Sequence, residues 1–163
     1  FSHRNVRFRV DAVATSPSGG DGIVPLGHVP LDDLFAYDRT CFPAARPAFL
    51  KPWIAQPDSP ALGFERHGRL QGYGVVRRCL EGHKIGPLFA NDVEGAATLF
   101  GHLSAFAAGG PVFLDVPETN GAAMALAARH RMTEVFGCAR MYLGSPPDVE
   151  HDRVYGVTTF ELG

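Results

Sequence analysis

Leu70-Gln-Gly-Tyr-Gly-Val-Val-Arg-Arg-Cys79, a turn at Glu81-Gly82, and Lys84-Ile-Gly-Pro-Leu-Phe89 decide the reading of this chain. Two β-branched or aromatic-containing runs separated by a glycine turn predict adjacent antiparallel strands. Upstream, Ala61-Leu-Gly-Phe-Glu-Arg66 and the His67-Gly68 turn add a third strand, giving a meander. Pro87 lacks an amide donor, so the last of these strands is predicted to be interrupted or splayed there. The Gly-x-Gly at Gly72-Tyr-Gly74 lies within a strand and reads as close packing, not as a dinucleotide loop.

Outward from the meander, Leu31 to Cys41 carries apolar residues at roughly helical spacing. Pro47 suits the first turn of a second helix reaching about Ala55. After the meander, Asn91-Asp92 can cap a helix to about Ala108, ended by Gly109-Gly110-Pro111. Val112–Val116 is short and mostly apolar, as a central buried strand should be. Glu118-Thr-Asn120 introduces an alanine-rich helix to about His130. Thr133–Phe136, Cys138–Leu143 and Val154–Leu162 read as strands. The predicted order, strands and helices mixed with βαβα crossovers, is an α/β (α+β) domain with helices on both faces of a mixed sheet. Residues 1–10 alternate at Val6, Phe8 and Val10 and predict a strand, set apart by the small-residue linker Thr15–Gly22.

Composition narrows the function classes. The chain has 163 residues, 45% of them hydrophobic, enough to bury a core. With 15 basic and 17 acidic residues it has no basic footprint for nucleic acid. No apolar run approaches the roughly 18 residues that suggest a membrane span. The first residues hold no apolar signal core, and the three cysteines are odd in number and far apart, so reduced thiols and a cytoplasmic location are expected. The seven histidines show no i, i+4 metal spacing, and no Gly-x-Ser-x-Gly elbow occurs, so no metal is expected.

Asp38-Arg39, Gly72-Tyr-Gly-Val-Val-Arg77, Ile85-Gly-Pro-Leu-Phe-Ala90, Phe113-Leu-Asp-Val-Pro117 with Asn120, Arg140-Met141 and Gly156-Val-Thr-Thr-Phe-Glu-Leu162 occur in order. Together they resemble the YitH-type domain of the GNAT N-acetyltransferases, over about residues 23–163. The resemblance implies the GNAT fold, a mixed, mostly antiparallel central sheet with helices on both faces. It implies acetyl-CoA as acyl donor and a small-molecule primary amine as acceptor. It also makes residues 1–22 the tail of an upstream GNAT domain, and 23–163 the second half of a tandem pair. A chain trimmed at such a boundary can expose an apolar face and form a homodimer.

By the same resemblance, the pantetheine arm would pair with the free backbone of Ile85, Gly86, Pro87, Leu88 and Phe89. Amides at the helix start after Asn91 would meet the pyrophosphate, with Asn91, Gly95 and Asn120 counted among the donor-binding residues. Departures from the family pattern are specific. Its phosphate loop, Arg/Gln-x-x-Gly-x-Gly/Ala, aligns with Ala90-Asn-Asp-Val-Glu-Gly95, in which only Gly95 matches. Asp92 and Glu94 put negative charge there, which suits a capped helix start. Ala127 falls where a tyrosine would protonate the leaving thiolate, and Tyr73 and Tyr142 are the other phenols considered.

Asp115, in an otherwise apolar strand, either holds or deprotonates a substrate amine, or is a buried carboxylate that caps the next turn or pairs with a base such as Arg140 or Arg77. Glu118 and Asn120 beside it also suit helix capping. Arg77 and Arg78 point to opposite faces of their strand. Two functions follow: an N-acetyltransferase acting through these residues, or a non-catalytic half that supports the active N-terminal domain and shapes its acceptor pocket.

Overall fold

The computed structural model describes residues 1–11 and 20–162. Most of the expected linker Thr15–Gly22 lies outside the described residues. Eight strands, β1 (His3–Val10), β2 (Ile23–Pro25), β3 (Ala61–Arg66), β4 (Arg69–Arg78), β5 (His83–Ala90), β6 (Val112–Pro117), β7 (Thr133–Arg140) and β8 (Val154–Gly156), form one sheet. Four α-helices accompany them: α1 (Leu31–Cys41), α2 (Pro47–Ile54), α3 (Val93–Ala105) and α4 (Gly121–Arg129). Strand order is β2-β3-β4-β5-β6-β1-β7, with β8 paired to β5. Only β5 and β6 run parallel among the paired strands; the other pairings are antiparallel.

Local chemistry explains the helix bounds. Asp32 and Asp33 sit in the first turn of α1 and Arg39 in its last, each matching the helix dipole. Pro47 occupies the first turn of α2. Asp92 caps α3 by accepting from the Gly95 amide, and Asn120 caps α4 by accepting from Ala123.

The sheet separates two apolar cores. On one face, Leu99, Phe100 and Leu103 of α3 and Leu126 and Ala127 of α4 pack on Val6, Ile85, Leu114 and Val116. On the other, Leu34 and Tyr37 of α1 and Leu50 of α2 pack on Tyr73 and Phe89. Each large side chain so buried contributes roughly 2–3 kcal/mol.

Three differences from the sequence reading matter for the site. β1 is an interior strand, antiparallel to β6 on one side and β7 on the other. β1 thus shares one sheet with the strands that follow residue 22. Thr133–Arg140 is one strand, and Tyr142 follows it in a loop. The closing strand Val154–Leu162 is shortened to Val154–Gly156, because its partner is the short, splayed end of β5 and not the sheet edge.

Candidate functional site

The opening between β5 and β6 is filled by the chain itself. The two strands pair only from His83–Ile85 to Val112–Leu114. β5 then changes partners at Gly86-Pro87, and its far half pairs with β8, Leu88 opposite Gly156 and Phe89 opposite Val154. Past β8, the Val157 amide donates to the Asp115 carbonyl at 2.8 Å. A Cβ on Gly86 would lie 2.6 Å from the Thr158 carbonyl oxygen and 2.8 Å from that of Val157. Only glycine permits this backbone approach. Ile85, Gly86, Pro87, Leu88 and Phe89 are all buried.

Several side chains clamp this C-terminal segment. Asn120 Nδ2 donates to the carbonyls of Asp152 and Val154, both at 3.0 Å, while its Oδ1 accepts from the Ala123 amide. Arg46 Nη1 donates to Thr158 Oγ1 at 3.0 Å. The same guanidinium forks onto Asp38, at 2.9 and 2.7 Å, and Tyr73 Oη donates to Asp38 Oδ1 at 2.5 Å. Burial pushes the Tyr73 phenol well above its usual range, and the adjacent Asp38 carboxylate adds to this. Tyr73 is therefore a packed, bonded core residue.

The helix start after Asn91 is occupied in the same way. The Asp92 carboxylate takes the Gly95 amide at 2.8 Å. Arg66 bridges Asp92 and Glu94, each at 2.6 Å. Partial burial raises the Asp92 carboxyl, but the Gly95 amide and Arg66 outweigh it and hold the group below its usual range. Gly95 packs against the Phe64 ring. Asn91 accepts from Tyr37 Oη at 2.9 Å and donates to Gln71 Oε1 at 2.8 Å. At the residues expected to meet an acyl-CoA, the Asp92 carboxylate thus takes the Gly95 amide and β8 pairs with the far half of β5.

Asp115 is fully buried, with partners other than those expected. Arg7 forks onto it at 2.7 and 2.9 Å, and Lys84 Nζ pairs with Oδ2. Arg140 and Arg77 make no ion pair with it. Insertion of β1 beside β6 places Arg7 directly opposite Asp115, which a detached β1 would not do. Burial lowers the Lys84 ammonium from its usual range, and Asp115 opposes that fall. The Phe160 ring covers the pair, 4.6 Å from Arg7 Cζ and 5.5 Å from Lys84 Nζ.

Ala127 is buried in the apolar core, so no phenol stands at that place in α4. Tyr142 is partly buried and receives a long hydrogen bond from Arg140 Nε at 3.3 Å. Of the two phenols the sequence reading did not weigh, Tyr37 donates to Asn91 and Tyr155 stands on β8. Burial raises Tyr155, with Asp92 and Asp152 adding to the effect. Nothing local signals its position, since β8 reaches α3 and α4 only through the tertiary fold. Glu118 Oε1 accepts from the Arg4 amide and belongs to the β1 register.

Among the described residues, no three His, Cys, Asp or Glu side chains are grouped to hold a metal ion. No described helix is long and apolar enough to cross a membrane. The three thiols are free, and burial pushes Cys41 up to about 12.

The family model described as "Acetyltransferase (GNAT) domain" matches residues 34–156. The chain is 26% identical over 151 residues to holothin acyltransferase of Pseudoalteromonas sp. (strain SANK 73390), covering 88% of this chain and 49% of that protein. A solved structure from Pyrococcus horikoshii, provisionally assigned as an acetyltransferase, superposes with a TM-score of 0.80 at 26% identity, over 99% of this chain and 52% of that one. A GNAT-family acetyltransferase from Colwellia psychrerythraea has a similar fold, with a TM-score of 0.63 at 15% identity, over 82% of this chain and 53% of its own. The chain thus spans about half the length of these relatives.

Proposed function

Because the chain belongs to the acetyltransferase (GNAT) domain family, we propose that it serves acyl transfer as the non-catalytic half of a larger acyltransferase. The whole protein moves an acetyl group from acetyl-CoA to a primary amine of a small molecule, by direct attack of the amine on the thioester. A second GNAT unit, upstream of this one, holds the donor in its own open strand edge. Backbone amides there polarise the thioester carbonyl. The unit described here packs on it, fixes its geometry and shapes the acceptor pocket.

One observation carries this reading: β8 and Val157 occupy the gap between β5 and β6 where a pantetheine arm would pair. Asp92 at the α3 amides and Ala127 in the core agree with it. Asp115 does not serve as a base here, because Arg7 and Lys84 both engage its buried carboxylate. The edge strand β7 and the loop after it expose Val135, Phe136, Met141 and Leu143, apolar surface suited to a partner unit. The likeness to holothin acyltransferase supports acyl transfer as the activity of the whole.

Calorimetric titration of acetyl-CoA into the 163-residue protein tests the proposal. No saturable heat is expected up to about 1 mM, a limit near −4 kcal/mol of binding. Sub-millimolar binding at one site per chain would overturn it.

A further inference from the structure

A cavity of about 270 Å³ opens beside the buried ion group, and the acyl-transfer reading does not use it. Its walls carry Arg7, Arg77 and Lys84, with Phe113 as an apolar wall and the exposed Leu80 at the rim. Strand register accounts for the convergence. Arg7 stands opposite Asp115, Lys84 opposite Phe113, and Arg77 opposite Lys84, so all five side chains share one face of the sheet.

The charges there do not balance. Arg7 and Lys84, two cations, share the single carboxylate of Asp115. Arg77 adds a third positive charge and has no carboxylate partner among the described residues. Its Nε is buried without an acceptor. Its other contacts are weak: Nη1 lies 3.6 Å from Cys79 Sγ, and Cζ lies 5.6 Å from the Trp53 ring centroid. Glu81 also lines the cavity, but Arg9 holds its carboxylate at 2.7 Å. Glu161 approaches Lys84 and Arg7 from the C-terminal segment, exposed and without an ion pair to either. A buried guanidinium donor with no acceptor is costly unless something fills its place.

We infer that this cavity is a binding site for a small oxyanion, a phosphate or carboxylate group, received by Arg77 with Lys84 and Arg7 behind it. Guanidinium groups suit such ligands because their N–H donors match paired oxygens. The volume of about 270 Å³ is several times a water's share of liquid, about 30 Å³. The ligand can therefore carry a short apolar portion against Phe113. The inference is independent of whether this unit binds acyl-CoA.

The test uses the whole 163-residue protein with inorganic phosphate and, separately, succinate, each against sodium chloride at equal ionic strength. Thermal unfolding and the Arg77 Nε–H resonance are followed together. Saturable stabilisation by phosphate, succinate or both is expected, beyond that of chloride, with the Arg77 signal moving at the same half-point. Preference for one anion identifies a phosphoryl or a carboxylate ligand. Arg77→Met, which leaves the Asp115 ion group intact, is expected to weaken the binding at least about tenfold. Arg129→Met, on the far helix α4, is expected to leave it unchanged. An Arg77 resonance that does not move in the unmodified protein overturns the inference, as does stabilisation that chloride reproduces or that Arg77→Met retains.

Discussion

Replacing Asp115 with Asn keeps the shape of the side chain and removes its charge. The site is fully buried, and the Lys84 side chain is only 4% exposed, so Lys84 cannot turn to water. Arg7, at 32%, can do so in part. Breaking a buried ion pair from one side costs about 3–5 kcal/mol. The upper limit follows from Lys84 itself, which can shed its proton instead of staying charged. Removing a proton from a lysine of ordinary pKa 10.5 costs about 5 kcal/mol at pH 7 and about 2 kcal/mol at pH 9, at roughly 1.4 kcal/mol per pH unit. In Asp115→Asn the folded lysine falls further below that value than in the unmodified protein, where Asp115 opposes the fall, and the unfolded one does not. The unfolded state then binds more protons, and stability rises with pH. Urea unfolding is therefore expected to show a loss of about 3–5 kcal/mol at pH 7 that shrinks to about 2 kcal/mol or less at pH 9. A loss below about 1 kcal/mol at pH 7, or one equal at both pH values, would refute the reasoning. A variant that folded normally but lost turnover would instead make Asp115 the amine's base.

Two further substitutions probe the clamp on the C-terminal segment. Gly86→Ala drives a methyl into the Val157 and Thr158 carbonyls and should cost about 1–3 kcal/mol, with faster hydrogen exchange at the Val157 amide; unchanged exchange there would count against a closely seated segment. Asn120→Ala loses the α4 cap and two carbonyl contacts, an expected loss of about 2 kcal/mol by thermal unfolding, against a few tenths if the contacts to Asp152 and Val154 are idle.

Much of the candidate site was legible as chemistry before it was legible as geometry. The replacement of the phosphate loop by Asp92 and Glu94, and the alanine at 127, are visible by inspection. Their consequence follows from local rules: a carboxylate three residues before a free helix amide caps it. The partners of Asp115 were not legible. Arg7 lies 108 residues away in sequence and meets Asp115 only because β1 enters the sheet between β6 and β7. The terminal segment was read as a long strand from its apolar pattern, a pattern that does not reveal which strand it pairs with. Tyr155 escaped for the same reason.

Short-range physics is therefore what the sequence alone determined: the meander and its turns, the four helices, the caps of α3 and α4, an interruption at Pro87, and the two acids at the α3 start. Each depends on residues a few positions apart, where periodicity and backbone preference suffice. The tertiary fold set β8 in the opening beside β5, Arg7 and Lys84 on Asp115, and Arg77 Nε where no acceptor stands among the described residues. Those outcomes depend on pairings between distant strands, whose register is set by burial of a whole sheet face and not by any local signal.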